Sequence, residues 1–341
     1  MSWIHPHWER FTPVSALLSP LSLLFRVTTA TRRAAYRAGL LRADRLTVPV
    51  IVVGNITVGG TGKTPLVLWL AALLKEHGRM PGIVCRGYGG VPGAPQAVRG
   101  DSDPQACGDE AVLLARRSGC PVWTGIDRAT AARSMLAAAD CDVVVSDDGL
   151  QHYALHRDVE LCVVDGDSLF GNGWLLPAGP LREPPSRLSE VDAVIVNSGD
   201  DTQEALASVR KLNPACLAMK LKAREFWNLR DTQRRAGAGD FHGKRVHAVA
   251  GIGNPARFFR QLQRMGLEFT PHSFPDHHPF TASDLAYAGA DAVVMTEKDA
   301  VKCERFTSDR CWALAVDAVP EPGLEKLVLG RIDAVIARKA R

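Results

Sequence analysis

The chain has 341 residues, close to half of them apolar and about a quarter charged, a balance that excludes a disordered chain and a polytopic membrane protein. Its length suits about two domains of ordinary size. A net charge of +4 is too mild for a nucleic-acid binder.

The first element is an arm. "SPLSLLFRVTTATRRAAYRAGLLRADR" offers Ser19 as N-cap and Pro20 as first helical residue, then an apolar run followed by Arg32, Arg33, Arg37, Arg42 and Arg45. The apolar part from Val14 to Phe25 is shorter than the roughly 20 residues that a spanning helix needs. The charges follow the apolar run, opposite to a signal peptide. Two readings stand side by side: a helix lying at a membrane interface, and an amphipathic helix packed on its own domain.

After the arm, apolar runs such as "VPVIVVG", "PGIVCRG", "CPVWTG", "CDVVVSDD", "VELCVVDG" and "VDAVIVN" alternate with helical patterns. Continuous apolar strands between helices imply a parallel sheet covered on both faces. Between the first strand and its helix lies "GNITVGGTGKT", with Gly62, Lys63 and Thr64 at the end of a phosphate-binding loop. Backbone N–H groups of Thr57, Val58, Gly59, Gly60, Thr61 and Gly62 would cradle phosphate, with the dipole of the following helix behind them. Lys63 would reach the β- and γ-phosphates, and Thr64 would offer a hydroxyl to Mg²⁺. Thr57 stands where the usual pattern has its first glycine.

Further along, "CGDEAVLLARRSG" places Asp109 and Glu110 at a helix start, where carboxylates also occur simply because they suit the dipole. "CDVVVSDDGLQH" ends a strand in Asp147 and Asp148. Adjacent acids there can cap a helix, but beside a phosphate loop the metal role prevails, and Gln151 and His152 are expected to face the same site. A long loop, "DGDSLFGNGWLLPAGPLREPPSRL", carries Phe170, Trp174, Leu175 and Leu176 toward a greasy or sugar-like acceptor. Near Met219 the pattern changes to a charged, alternating stretch that reads as a β-ribbon linker. A second α/β unit follows from "KRVHAVAGIGNP" through "CWALAVDAV", ending in a helical tail. Its "FPDHHPF" brings Asp276, His277 and His278 together, as a metal site or as ordinary surface histidines. The eight cysteines include no CxxC pair and read as reduced thiols of a cytosolic protein.

The fold expected is therefore α/β: an arm over 1–45, a P-loop parallel-sheet domain over 46–218, a β-ribbon linker over 219–240, and a smaller α/β domain with a C-terminal helix over 241–341. The chain is read as a monomer without nucleic-acid contacts.

Taken in order, "VGNITVGGTGKTP", "RGYGG", "GDEAVLLARR", "SDDGLQH", "FGNGWLLPAGPLREP", "FPDHHPF" and "MTEKDAVK" resemble the tetraacyldisaccharide 4'-kinases of lipid A biosynthesis in Gram-negative bacteria. The resemblance runs from the arm to about Lys302, and it includes the variant loop at Thr57. It implies transfer of the ATP γ-phosphate to the 4'-hydroxyl of an acylated glucosamine disaccharide 1-phosphate, at the anionic cytoplasmic face of the inner membrane. It also implies two α/β/α domains on a two-stranded linker. Carried over by residue, Lys63 and Thr64 serve phosphate and Mg²⁺, Asp147 and Asp148 the metal, and Glu183 the active site. Asp109 becomes the base with His277 as partner, and His278 matches less closely.

Two rival readings stand beside it. A regulatory P-loop GTPase would use Asn197 and Asp200 at NxxD spacing, with Ser198 in place of the stacking lysine. A membrane-attached scaffold would hold nucleotide without turnover.

Overall fold

The computed structural model describes residues 6–87, 93–197 and 202–339. A short helix α1 (Pro6–Glu9) and a long helix α2 (Pro13–Arg37) open the chain. Thr12 caps α2, its hydroxyl accepting from the Ser15 N–H at 3.3 Å, and Pro13 occupies the first turn. The expected start at Ser19 and Pro20 is thus corrected, and Pro20 lies inside the helix. Pro20 has no N–H for the carbonyl one turn back. The Ser19 hydroxyl donates to that carbonyl, on Ala16, at 2.8 Å instead.

The first group of strands comprises β1 (Val50–Gly54), β2 (Pro81–Cys85), β3 (Gln96–Val98), β4 (Val122–Thr124), β5 (Val143–Ser146), β6 (Val159–Asp165) and β7 (Ala193–Asn197). The helices among them are α3 (Lys63–Glu76), α4 (Pro104–Cys107), α5 (Asp109–Ser118) and α6 (Arg128–Ala138), with α7 (Thr202–Arg210) following β7. Side chains alternate between two cores: Ile51 and Val53 join Leu66 and Leu70 of α3, whereas Val50 and Val52 join Ala131 and Met135 of α6. Both faces are buried, so the strands read as unbroken apolar runs.

The rest of the chain forms β8 (Cys216–Asn228), β9 (Arg235–Ala236), β10 (Val246–Ala250), α8 (Pro255–Arg264), β11 (Thr270–Ser273), β12 (Ala292–Thr296), α9 (Glu297–Cys303), β13 (Cys311–Pro320) and α10 (Gly323–Lys339). Strands of both groups belong to one hydrogen-bonded sheet ordered β11-β10-β12-β13-β8-β7-β6-β1-β5-β2-β4-β3, with β9 paired beside β8. The expected ribbon is part of this sheet. Cys216 to Met219 pair in parallel with β7, and β8 from Met219 onward pairs antiparallel with β13. The expected boundary at 218 and 219 therefore falls inside a strand. The helix α10 differs from the expectation that grouped it with the second unit, because Leu324, Val328 and Ile332 pack in the core of α3 and α5.

The order β6-β1-β5 places β1 between strands that follow it much later in the chain, the switch point where open α/β sheets carry their sites. Phe226 is wholly buried where β8 meets the second half and packs edge-on against Phe241 at 4.9 Å. Phe226→Ala should lower stability by about 3–5 kcal/mol in urea unfolding, with hydrogen-exchange protection lost first in β10, β12 and β13.

Candidate active site

The loop after β1 turns into α3 through Gly62, whose φ of 97° is left-handed. A Cβ there would also lie 2.6 Å from the Asn197 amide nitrogen, so both conformation and space require glycine. That amide donates to the Thr61 carbonyl at 2.9 Å. Asn197 thus braces the phosphate loop from inside the protein; Ser198 and Asp200 lie outside the described residues. The variant position Thr57 bridges to Leu181, and the Val58 N–H donates to Pro180 at 2.8 Å. Gly59 and Gly60 lie against the second half, where a Cβ on Gly253 would stand 2.8 Å from the Gly60 nitrogen.

Asp147 and Asp148 follow β5 but have unlike surroundings. Asp147 is buried, and its Oδ1 has no hydrogen-bond partner. Burial, then repulsion from Glu110, pushes its carboxyl up to about 7, with Lys63 offsetting part of the effect. Asp148 has a left-handed backbone, φ 47°. Both its carboxylate oxygens accept from Arg182 at 3.0 Å, and Lys63 Nζ lies 3.4 Å away. Burial opposes its charge, but Lys63 and Arg182 outweigh burial and hold its carboxyl well below the usual range. Among the described residues no group of three or more His, Cys, Asp and Glu is placed to hold a metal. The unpartnered Asp147 oxygen, within reach of the charge of Lys63 on the phosphate loop, suits a hard divalent cation completed by water and phosphate oxygens.

Glu183, the residue after Arg182, is buried. The Tyr153 hydroxyl donates to its Oε2 at 2.9 Å, Arg187 Nε lies 3.2 Å from the same atom, and Oε1 has no partner. Arg187 also grips both oxygens of Glu160 at 2.7 Å. Burial and the charge of Glu183 push the Tyr153 hydroxyl up to about 12, so it remains a donor. Gln151 faces the site as expected, donating to the Asn55 carbonyl at 2.9 Å. His152 turns instead toward Asp127, 3.6 Å away, and burial lowers it to about 4.

Asp109 is the first residue of α5 and is buried, while the N-cap position belongs to Gly108. Its Oδ1 accepts from the Glu110 N–H at 2.8 Å, so it partly serves the helix end. His277 Nδ1 reaches Asp109 from the second half at 3.1 and 3.2 Å. His278 stays within its own half, 3.3 Å from Asp284 and packed by Phe274 and Phe280. The long loop is not open above the sheet. Leu175 is buried in the core, Trp174 packs on Phe11 at 5.6 Å, and Ser22 donates to the Leu175 carbonyl at 2.7 Å. The arm covers these apolar side chains because an uncovered cluster would stay in water.

Sequence reasoning passed over Arg182, Tyr153, Arg187, Lys298 and Lys302. Arg182 and the two lysines stand in the quoted "LREP" and "MTEKDAVK", but nothing local to those stretches says what they meet. Arg187→Met should cost about 3–5 kcal/mol in thermal or urea unfolding by leaving Glu160 and Glu183 buried without their cation. Arg187→Lys should recover little of it, since an ammonium lacks the planar fork.

The sequence profile of the tetraacyldisaccharide-1-P 4'-kinase (LpxK) family matches residues 14–333. A tetraacyldisaccharide 4'-kinase of Aromatoleum aromaticum is 52% identical over 330 residues, 95% of this chain and 97% of that relative. One of Methylobacillus flagellatus is 45% identical over 338 residues, 99% and 98% of the two chains. Among solved structures, LpxK from Aquifex aeolicus in complex with ATP aligns with a TM-score of 0.77 at 28% identity, covering 94% of this chain and 99% of that one.

Proposed function

The chain belongs to the tetraacyldisaccharide-1-P 4'-kinase family and is a tetraacyldisaccharide 4'-kinase of lipid A biosynthesis, and we propose the following roles for its residues in that transfer. The donor is ATP, held on the loop from Thr57 to Thr64 with Lys63 against its phosphates. Asp147 and Thr64 would hold Mg²⁺, which when bound offsets phosphate charge. Asp148, engaged by Arg182 and Lys63, orients the lysine rather than the metal. Asp109 takes the proton of the sugar 4'-hydroxyl as its oxygen forms a bond to the γ-phosphorus, and the bond from that phosphorus to the bridging oxygen breaks to release ADP. His277 orients Asp109, and Glu183 with Tyr153 shapes the floor of the site.

The observation that carries this reading is the contact of Asp109 with His277. A buried carboxylate at the start of α5 meets a histidine from the other half of the chain, distinct from the acids beside the phosphate loop. The two halves act as domains that close on the β8–β13 ribbon and exclude water.

We further propose that the enzyme works at the cytoplasmic face of the inner membrane with α2 lying on the surface. This helix is long and apolar enough to cross a membrane, and 11% of its apolar window is buried. Leu17, Leu21 and Leu24 are 80%, 55% and 60% exposed and recur at helical spacing on one side. Ser15 and Ser22 are buried against the body of the protein, and a helix bound along one side suits an interface better than a bilayer interior. The basic face is narrower than the sequence implied, since Arg33 and Arg37 pair with Glu190. Arg32, Arg42 and Arg45, all exposed, remain for anionic headgroups.

Lys63→Ala should abolish turnover. Asp109→Asn should lower kcat by about 10² to 10⁴ while ATP affinity, read by nucleotide competition, is retained. Full turnover by Asp109→Asn would return Asp109 to the helix-end role, and preference for GTP in the same competition would favour the GTPase rival. Replacing Leu17, Leu21 and Leu24 with serine should weaken sedimentation with phosphatidylglycerol vesicles at all salt concentrations, each leucine contributing about 1.5–3 kcal/mol when buried. Arg32→Gln should weaken it only at low salt.

A further inference from the structure

The segment "MTEKDAVK" has no assigned part in the chemistry. It forms the end of β12 and the helix α9, capped by Thr296, whose hydroxyl accepts from the Asp299 N–H at 3.1 Å. Lys298 and Lys302 stand four residues apart and so share one face of that helix. This face meets the start of α5. Lys298 Nζ lies 3.0 Å from Glu110, 3.3 Å from Asp276 and 3.4 Å from His277 Nε2. Lys302 Nζ lies 3.7 Å from Asp109 and 2.9 Å from Asp299. Both lysine side chains are nearly buried, at 16% and 10% exposure. Each therefore needs the carboxylates it meets.

An ammonium group has only donors, so the approach of Lys298 to His277 at 3.4 Å makes Nε2 the acceptor and leaves the ring proton on Nδ1, facing Asp109; the Asp276 carboxylate lies farther from Nε2, at 3.8 Å. We propose that Lys298 and Lys302 are positioning residues for the phosphoryl transfer: Lys298 sets the His277 tautomer that donates to Asp109, and Lys302 holds the Asp109 carboxylate in place as an anion. The inference rests on the reading of Asp109 as base. Around Asp109 the charged groups are Glu110 on its own helix, Asp276 and His277 from the turn after β11, and Lys298, Asp299 and Lys302 from α9. Burial alone would raise the Asp109 carboxyl, but the His277 hydrogen bond, then Lys298 and Lys302, outweigh it and hold it below its ordinary value. Removing either lysine weakens that offset, so the carboxyl moves up and the base is lost at a higher pH. Both lysines belong to the second half, so the base is complete only while α9 is seated on α5. Ion pairs of Arg116 with Glu304 and of Arg117 with Glu297 run along the same seam.

The test is steady-state kinetics of the full chain with ATP, Mg²⁺ and the tetraacyldisaccharide substrate in detergent micelles, from pH 5 to 9, for Lys298→Met, Lys298→Arg, Lys302→Met and Asp109→Asn. Each methionine variant should lose about 10 to 10² in kcat with KM for ATP little changed. The acid limb of kcat should move to higher pH, and Lys298→Arg should recover the limb in part. Unchanged kcat, or a loss with no movement of the limb, would overturn the proposal. Lys302→Met also strands Asp299, so if it fails to fold, the double variant Lys302→Met with Asp299→Asn takes its place under the same criteria. If Asp109→Asn keeps full turnover, the base reading itself falls. If it loses turnover while Lys298→Met keeps both rate and limb, only the role of the lysines falls.

Discussion

From Cys216 to Asn228 the backbone of β8 is shared between the two halves, parallel to β7 at its start and antiparallel to β13 beyond Met219. The two ends of the strand are committed to different ladders, so it cannot slide by a residue without breaking pairing in both halves. That constraint sets the angle at which α8, α9 and the turn at His277 face the phosphate loop. The C-terminal helix strengthens the arrangement, since α10 returns from β13 to the core of the first half.

Within that frame the chemistry depends on charges kept out of water. An unpaired buried carboxylate is costly, and the protein resolves the cost differently at each position. Asp148 is neutralised by Lys63 and Arg182, and Asp109 by His277 and the lysines of α9. Glu183 shares Arg187 with Glu160. At Asp147 burial and Glu110 disfavour the charge, and Oδ1, like Oε1 of Glu183, has no partner. This difference between adjacent acids supports assigning the cation to Asp147 and lysine orientation to Asp148. The arm enters the same network through Arg33 and Glu190, which lies near Arg187, so α2 and the Glu183 cluster are held by one chain of ions.

Much of the first half was legible in the residues. Unbroken apolar runs between helices predicted a doubly covered parallel sheet, and Gly62, Lys63 and Thr64 marked the phosphate loop, because periodicity and turn chemistry act over a few residues and leave a local trace. The start of α2 was misread at Ser19 and Pro20 because Thr12 and Pro13 offer the same cap pattern, and local rules do not choose between two valid starts. Short edge pieces such as β3 left no signal, since three residues carry no period.

The sequence by itself determined the strands and their two buried faces, the phosphate loop, the acids at the end of β5, and a family resemblance that brought Asp109, His277 and Glu183 together by analogy. Only the tertiary structure decided that Asn197 braces the phosphate loop, that Asp147 and Asp148 differ, that the arm covers Trp174 and Leu175, and that Lys298 and Lys302 face the Asp109 pair. The physical reason is the same in each case. Burial and Coulomb interaction depend on distance in space, and the partners here are separated by more than a hundred residues of chain, as Asp109 is from His277, or stand in equivalent local contexts, as Asp147 and Asp148 do.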